Sequence, residues 1–241
     1  MIREILKDDL DGLLRLYMQL HNNPMPEKTV ELLQIWDNIF QDKNHHVIVA
    51  EENGADSFWY WDVGAFVFAG DETAVSVSGK DYKVTNRIIQ ENDIITIDLS
   101  PQKNNIWGDY ARTLVFENGI LCDKTDKIRN NEWRSGLQME EYLHKTLIDV
   151  ATPDITFEEL YYFMNDLIVK KGFLNLDFLG NLGHSIVKNK NDRIYTEKGN
   201  HQRLSDVKMF TFEPHISLPD SKYGYKREDI YYFDNGKLIQ L

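Results

Sequence analysis

The spacing of apolar and polar positions divides the chain into two parts of different texture. In the first part, the pattern predicts a short strand near Ile2, then two amphipathic helices, and a second apolar strand over residues 46–50. The helices are predicted from apolar residues at helical spacing: Leu10, Leu13, Leu14 and Tyr17, then Leu32, Leu33, Trp36, Ile39 and Phe40. A turn-forming run at 51–54 follows, so we expect a β-α-α-β segment over residues 1–53 and a boundary there.

The second part, residues 54–241, is rich in short β-type runs. Strands are predicted at 58–61, 65–69, 74–78, 94–99, 111–116, 210–213, 230–233 and 237–240. Gly70 and Asp71 are predicted to form a hairpin turn between the second and third of these strands. Two helices are predicted, one over about 131–151 and one from the capping box that begins at Thr156 to Gly172. The pattern therefore indicates an α+β fold.

Composition limits the kinds of partner that the chain can have. It has 241 residues, of which 42% are apolar and 27% charged, and a formal net charge of -12, which argues against a general nucleic-acid-binding surface. No run approaches the roughly 18 apolar residues of a membrane helix. Cys122 is the only cysteine, and the N-terminus lacks a basic stretch followed by an apolar run. We therefore expect a cytoplasmic protein without an internal disulfide.

Five polar residues next to apolar runs are candidates for chemistry. Asp98 ends the run IITIDL, where a buried carboxylate needs a hydrogen-bonding partner, a counter-charge or a metal, and Asp109 begins the next predicted strand. His184, Glu213 and Glu228 stand in similar contexts further along the chain. Four carboxylates and one imidazole suit Mn, Fe, Co or Zn, and two divalent ions balance four carboxylates charge for charge.

These five residues, in the contexts IDLSPQ, WGDYART, LGHSI, FTFEPH and REDIYYF, resemble the metal ligands of the pita-bread metallopeptidases. That family includes methionine aminopeptidase, aminopeptidase P, prolidase and creatinase. The resemblance covers about residues 56–241 and implies a curved antiparallel sheet flanked by helices. It also implies two divalent ions, Mn, Co, Zn or Fe, with Asp98 on one ion, His184 and Glu213 on the other, and Asp109 and Glu228 bridging both.

The same resemblance implies an aminopeptidase-like hydrolase that cleaves a peptide or peptide-like amide with a metal-bridging water. Glu213 then handles protons at that water. The chain departs from the family at two auxiliary histidines, because Asp81 and Asn191 stand at the corresponding positions. His215 is a candidate replacement, as a proton carrier or hydrogen-bond donor. A non-catalytic binding protein that keeps the fold is the alternative, and a homodimer is possible.

Residues 1–53 resemble the first strand, two helices and second strand of the GCN5-related acetyltransferases. The Gly-rich pyrophosphate loop of those enzymes is absent from the sequence, so an acetyltransferase is only a remote alternative. This segment stands where the pita-bread domain normally has two opening helices. The aromatic cluster of residues 58–61 is expected to serve packing at the core and its rim rather than as a substrate platform.

Overall fold

The computed structural model divides the chain into two compact units. One comprises Met1–Asn53 with Asn118–Ile120, and the other comprises Gly54–Glu117 with Leu121–Leu241. The residues that the structure describes are 2–21, 25–41, 48–50, 57–58, 60–61, 63–85, 87–104, 106–177 and 179–241. None of the helices in these ranges combines the length and the apolar character that a membrane span requires.

The first unit contains the predicted β-α-α-β segment. Its elements are β1 (Ile2–Glu4), α1 (Leu10–His21), α2 (Val30–Gln41) and β2 (Ile48–Ala50), and the two strands pair antiparallel. Leu10 and Leu14 of α1 pack with Trp36 of α2, as their helical spacing predicts. The indole Nε1 of Trp36 donates a hydrogen bond to the Lys7 carbonyl at 3.0 Å. Residues 46–47 and the turn at 51–54 lie outside the described residues.

Within the described residues, the second unit contains a series of strands and two long helices. The helices are α3 (Asn131–Val150) and α4 (Phe157–Lys170). The strands are β3 (Ser57–Phe58), β4 (Phe66–Ala69), β5 (Asp93–Leu99), β6 (Pro101–Lys103), β7 (Ile106–Trp107), β8 (Tyr110–Glu117), β9 (Ile120–Leu121), β10 (Leu174–Asn175), β11 (Phe210–Phe212), β12 (His215–Ser217), β13 (Tyr225–Asp234) and β14 (Lys237–Gln240).

A nine-stranded antiparallel sheet dominates this unit. Its strand order is β10-β12-β13-β8-β5-β4, with β11 and β14 also pairing with β13 and β9 with β8. The sheet curls into a half-barrel with helices against it, as predicted. A separate three-stranded sheet has the order β3-β6-β7. The central strands β5, β8 and β13 are therefore the ones that hold side chains in fixed rows.

Two predicted features between β4 and β5 are wrong. Residues 74–78 do not form a strand, and Gly70 and Asp71 do not form a hairpin turn, because β4 leads directly into a 3-10 helix at Gly70–Ala74. Polar bonds stabilise this helix: the Thr73 hydroxyl donates to the Gly70 carbonyl at 2.6 Å, and Glu72 accepts from the Ala69 amide at 3.2 Å. The apolar alternation of Val75 and Val77 was misleading, since both side chains are exposed.

Two other strands differ in length from their predictions. The strand predicted at 58–61 ends at Phe58, and the chain turns at Tyr60 and Trp61, while Trp59 lies outside the described residues. The strand predicted at 230–233 is the end of the much longer β13, which begins at Tyr225. Its first half is charged, so hydrophobic patterning did not detect it.

The two helices pack on one face of the sheet and complete the core. The Asn130 side chain caps α3 by accepting hydrogen bonds from the Glu132 and Trp133 amides, and Thr156 and Glu159 form the predicted capping box of α4. Gly136 of α3 allows close contact with the ring of Tyr225, because any Cβ there would overlap that ring. The helices and the sheet share an apolar cluster that includes Leu143, Phe157, Leu160, Phe212 and Tyr231.

A buried polar cluster lies between α3 and β13. His144 Nε2 donates to the Arg227 carbonyl at 3.1 Å, and its Nδ1 accepts from the Tyr231 hydroxyl at 2.7 Å. Burial lowers the pKa of His144 well below its usual value, so the ring is neutral. Glu140 lies one turn earlier, 3% exposed, and neither carboxylate oxygen has a hydrogen-bond partner. Burial raises the pKa of Glu140 well above its usual value, against the opposing charge of Arg227.

Glu140→Gln is expected to stabilise the protein above neutral pH. The unfolded chain loses this proton near the ordinary pKa of 4.5, whereas the folded chain retains it to a much higher pH, so Glu140 costs stability increasingly as pH rises above 4.5. Thermal melts should show a gain of a few degrees at pH 8, since roughly 1 kcal/mol corresponds to about 2–4 °C in a chain of this size. The gain should shrink towards pH 5.

The exposed neighbour Glu141, changed to Gln, is the matched control, because it lies on the same helix and only accepts a hydrogen bond from Thr125 at 3.2 Å. Its melting temperature should follow that of the unmodified protein at both pH values. An equal gain for Glu140→Gln at pH 5 and pH 8 would show that the buried charge is not the cause.

Candidate metal centre

The strand register of the sheet brings two of the predicted ligands into one row. Asp98 of β5 pairs with Ala111 of β8, and Ala111 pairs on its other side with Glu228 of β13. Directly paired residues project from the same face, so both carboxylates point to the face opposite α3. The residue between them is a fully buried alanine, whose small side chain leaves space between the two carboxylates.

Asp109 reaches the same face from the start of β8. It lies immediately before the strand and two positions from Ala111, so strand alternation directs its side chain to the same side. Asp109 is 5% exposed and Glu228 is 1% exposed. The prediction that two adjacent strands bring Asp98 and Asp109 together therefore agrees with the register.

His184 and Glu213 come from the segments beside β11. Two backbone hydrogen bonds hold these two segments side by side: the Thr211 amide donates to the His184 carbonyl at 2.7 Å, and the Glu213 amide donates to the Leu182 carbonyl at 3.0 Å. The His184 amide also donates to the Thr211 hydroxyl at 3.0 Å. This close approach requires Gly183, which has a φ of 133° and where a Cβ would overlap the Thr211 backbone.

The hydrogen bonds of His184 fix which ring nitrogen faces the carboxylates. Nδ1 lies 3.2 Å from the Ser185 carbonyl, which can only accept, so Nδ1 carries the proton. Nε2 therefore presents its lone pair, and it accepts from the Tyr60 hydroxyl at 2.9 Å. Nε2 also lies 3.5 Å from Asp109 Oδ2 and 3.5 Å from Glu213 Oε1. An imidazole held in this tautomer by a backbone carbonyl is the usual form of a metal-binding histidine.

Three of the predicted ligands form a group suited to one metal ion. Ligand atoms of Asp109, His184 and Glu228 lie within 4.8 Å of one another, and all three residues are buried. Asp109 Oδ2 and both carboxylate oxygens of Glu228 have no hydrogen-bond partner. Buried carboxylate oxygens normally have partners, so these three oxygens, together with the lone pair of the adjacent His184 Nε2, suit a divalent cation.

Lys226 holds the other side of the cluster. Its Nζ lies 2.6 Å from Asp98 Oδ2, 3.1 Å from Glu213 Oε2 and 3.8 Å from Glu228 Oε2. Lys226 was not predicted as a site residue from the sequence. Lys226 precedes Glu228 by two positions, so the alternation of a strand places both on the same face, but this signal depends on knowing that β13 begins at Tyr225.

The pKa directions follow from burial and from this lysine. Burial raises the pKa of Asp109 and of Glu228 well above their usual range, and neighbouring carboxylates add to the effect. Burial also raises the pKa of Glu213, but the positive charge of Lys226 outweighs it and the net shift is downward. Burial lowers the pKa of His184 to about 4, so the ring is neutral at physiological pH. The carboxylates of Asp109 and Glu228 thus lack a nearby positive charge that would outweigh burial and keep them ionised.

A cavity of about 300 Å³ opens over this cluster. Its lining includes Tyr60, Arg193 and His215 in addition to the predicted ligands. The guanidinium of Arg193 hydrogen-bonds to the Tyr60 hydroxyl and lies 5.0 Å from the centre of that ring. His215 Nε2 donates to the Thr73 carbonyl at 2.7 Å, and burial lowers the pKa of His215 to about 4. Nδ1 of His215 is therefore an acceptor, and its Nε2 proton is already engaged.

The residues at the two auxiliary positions lie away from the cavity. Asp81 and Asn191 are both exposed and do not line it. Of the aromatic cluster, Tyr60 contacts His184 directly and Trp61 also lines the cavity. The packing role predicted for the aromatic cluster is therefore incomplete, because Tyr60 also makes a polar contact with His184. Arg112 pairs with Asp229 at 2.5 Å on the side of the sheet that faces α3.

Comparison with known proteins agrees with the resemblance predicted from the five motifs. The family model for metallopeptidase family M24 matches residues 28–235. A Xaa-Pro dipeptidase of Lactobacillus helveticus is 29% identical over 135 residues, which cover 56% of this chain and 34% of that protein. The chain thus spans about a third of the length of this curated relative.

Solved structures confirm the pita-bread fold class. The recombinant prolidase from Thermococcus sibiricus matches with a TM-score of 0.61 and 18% identity, over 97% of this chain and 56% of that one. The prolidase from Pyrococcus furiosus gives a TM-score of 0.62 at 17% identity, over 98% of this chain and 62% of that one. A methionine aminopeptidase from Thermotoga maritima gives a TM-score of 0.53 at 13% identity, over 73% of this chain and 72% of that one. None of these comparisons tests the acetyltransferase resemblance of residues 1–53, which stays a prediction.

Gly183→Ala is expected to displace His184 and reduce metal retention. A Cβ at this position overlaps the Thr211 backbone, and the positive φ adds strain of about 1–3 kcal/mol. Gly199→Ala is the matched control, because Gly199 also has a positive φ, of 87°, but nothing lies within 4 Å of the added carbon. Elemental analysis after dialysis should show metal lost from Gly183→Ala and retained by Gly199→Ala. Equal retention in both variants would contradict the assigned role of Gly183.

Proposed function

The chain belongs to metallopeptidase family M24, and we propose that it hydrolyses a peptide or peptide-like amide with divalent metal ions held at this centre. The ligands in this proposal are Asp98, Asp109, His184, Glu213 and Glu228. In this proposal Asp109, His184, Glu213 and Glu228 would hold one ion, and Asp98 with Asp109 and Glu228 would hold the other.

The observation that carries the proposal is the buried group of Asp109, His184 and Glu228. Its ligand atoms lie within 4.8 Å of one another, and three of its carboxylate oxygens lack hydrogen-bond partners. The ring of His184 is held in the tautomer that presents Nε2 to these oxygens. Oxygen ligands with one imidazole favour Mn, Co, Zn or Fe rather than a thiolate-binding metal.

Bound divalent ions supply the Lewis acid that activates a water molecule and polarises the scissile carbonyl. The chain supplies the proton transfer. Because the positive charge of Lys226 lowers the pKa of Glu213, this carboxylate is ionised at neutral pH and can accept a proton from the attacking water. In the proposal Glu213 then returns that proton to the leaving amine, so the proton balance closes over one turnover.

His215 has a secondary role in the proposal. Its Nε2 proton is engaged by the Thr73 carbonyl, so it contributes through Nδ1 as an acceptor, for a proton or for an N–H group of the substrate. This differs from the hydrogen-bond donor considered in the sequence analysis, because a ring whose pKa is about 4 carries only one proton at neutral pH.

The cavity supports a short substrate. Its volume of about 300 Å³ is at the lower end of the range for small-molecule sites, roughly 300–1,000 Å³. Arg193 contributes a positive charge at the wall, which favours a substrate with a free carboxylate. A curated relative is named a Xaa-Pro dipeptidase and two structural neighbours are named prolidases. We therefore propose dipeptides, including Xaa-Pro dipeptides, as the first substrates to examine.

A peptide panel tests the proposal. Dipeptides, Xaa-Pro peptides and N-terminal methionyl peptides are incubated with the chain in the presence of Mn²⁺, Co²⁺ or Zn²⁺, and released amino acids are measured. We expect metal-dependent turnover that a chelator abolishes. Glu213→Gln should reduce kcat by about 100-fold or more, because it removes the proton acceptor and keeps the shape. The exposed Glu91, changed to Gln, is the matched control and should retain full activity.

Asp109→Ala separates metal binding from proton transfer. It removes a carboxylate at the centre, so metal content measured by elemental analysis should fall, whereas Glu213→Gln should keep at least the ion at Asp109, His184 and Glu228. If the protein retains metal but cleaves none of the peptides, the non-catalytic alternative gains support. Unchanged metal content in Asp109→Ala would contradict the centre itself.

A further inference from the structure

One carboxylate in the wall of the cavity has no role in the proposed function. Among the described residues that line the cavity, Asp177 is the only acid outside the proposed ligand set. It is partly buried and belongs to the loop between β10 and His184. The other acids of the lining are the carboxylates proposed to bind metal, so the charge of Asp177 needs a separate explanation.

Asp177 lies near Glu213 in the fold. The preceding Leu176 donates its amide to the His215 carbonyl at 2.7 Å, and His215 is two residues from Glu213. The charges of Glu213 and Lys226 both affect the pKa of Asp177. Asp177 therefore shares the cavity with the residue that is proposed to transfer the proton.

Backbone amides hold this carboxylate in one orientation. Oδ1 of Asp177 accepts hydrogen bonds from the Leu179 and Asn181 amides, both at 2.9 Å. The Asn175 side chain fixes the same loop by donating to the Gly180 carbonyl at 3.1 Å. Within the part of the chain that the structure describes, Oδ2 of Asp177 has no hydrogen-bond or ion-pair partner. The loop thus uses one oxygen of this side chain and leaves the other for a ligand.

A turn-forming role explains the contacts of Asp177 but not its charge. Asn and Ser side chains accept the same kind of backbone bond in such turns without carrying a charge. Burial raises the pKa of Asp177, and the net shift stays upward although the two amide bonds and the charge of Lys226 lower it. The negative charge is therefore not fully compensated, and a cation in contact with Oδ2 would stabilise it.

A peptide substrate carries a cation close to its first peptide bond. Its α-ammonium group is joined to the first carbonyl carbon through a single carbon atom and is mostly protonated at neutral pH. Like the ammonium of lysine, it has three N–H donors. Asn181 also lines the cavity, and its Oδ1 has no hydrogen-bond partner within the described residues. Asp177 and Asn181 thus provide two acceptors for one ammonium group.

We propose that Asp177 binds the α-ammonium group of the peptide substrate, with Asn181 as a second acceptor, and so directs the centre to the first peptide bond. This inference rests on the proposed function, because it names the residue that recognises the substrate of the same centre. It adds a requirement for a free N-terminus, since an acetylated peptide has no ammonium group to bind.

A binding cycle tests the inference without turnover. The probes are the ketomethylene isostere of alanyl-alanine, in which CH₂ replaces the scissile NH, and its des-amino counterpart, in which hydrogen replaces the ammonium. In isothermal titration of the Mn²⁺-loaded chain, the ammonium probe should bind about 10- to 100-fold more tightly. Asp177→Asn keeps an acceptor for the two amides but removes the charge. It should reduce this preference about tenfold or more and leave the affinity for the des-amino probe unchanged.

Two further variants complete the design. Asp177→Ser also keeps a short acceptor for the turn, so it provides a second test if the asparagine variant does not fold. Asp166→Asn removes an exposed carboxylate from α4 and should keep the full preference, which makes it the matched control for net charge. In assays with alanyl-alanine, Asp177→Asn should raise KM about tenfold or more with little change in kcat, because the ammonium is bound equally before and during the reaction.

A lysyl probe separates two sources of the cation. The ketomethylene isostere of lysyl-alanine has an ammonium on its side chain in addition to the α-ammonium. We expect Asp177→Asn to weaken binding of the alanyl and lysyl probes by the same factor. A loss confined to the lysyl probe would overturn the inference, because Asp177 would then select the side chain of the first residue.

The outcomes separate this inference from the proposed function. An undiminished preference for the ammonium probe in Asp177→Asn and Asp177→Ser, or no preference in the unmodified chain, would overturn the inference and leave the metallopeptidase proposal intact. The expected preference in a chain that cleaves no peptide would support the site at Asp177 and contradict the proposed hydrolysis. Binding of neither probe to unmodified protein that melts cooperatively would overturn the inference.

Discussion

Four carboxylates can share one buried face of a sheet only if cations accompany them. Asp98, Asp109, Glu213 and Glu228 converge over the central strands, where removal from water and mutual repulsion both disfavour their charged forms. Lys226 supplies part of the required positive charge through its contacts with Asp98 and Glu213. Asp109 Oδ2 and both carboxylate oxygens of Glu228 still lack hydrogen-bond partners, and these buried oxygens are the physical basis for proposing a metal centre.

The fold meets the geometric part of this constraint through strand register. Antiparallel pairing aligns Asp98, Ala111 and Glu228 across three strands. Because side chains alternate along a strand, the odd-numbered residues of β13 face the helices and the even-numbered residues face the cavity. A one-residue slip of β13 would exchange Glu228 with Asp229, which contacts Arg112 on the other face. The tight packing of Tyr225 against Gly136 therefore helps to hold β13 in the register that keeps Glu228 on the cavity face.

Much of this arrangement was predictable from sequence, for identifiable reasons. Helices α3 and α4 carry strong caps and apolar stripes, and β5 and β8 are long apolar runs, so local patterning found them. The five proposed ligands were predicted because five separated motifs resemble one family. The charged half of β13 and the 3-10 helix after β4 were missed, because their conformations depend on cross-strand and side-chain to backbone bonds rather than on apolar spacing. Lys226 was missed for the same reason, since its partners are up to 128 residues away in sequence.

The central claim is that the ligand atoms of Asp109, His184 and Glu228 together bind a metal ion. X-ray diffraction from crystals grown with Mn²⁺, recorded on both sides of the manganese absorption edge, tests this claim most directly. We predict a strong anomalous peak at coordination distance from His184 Nε2 and from a carboxylate oxygen of both Asp109 and Glu228. A map with no manganese peak among these three side chains, at a Mn²⁺ concentration far above that of the protein, would contradict it.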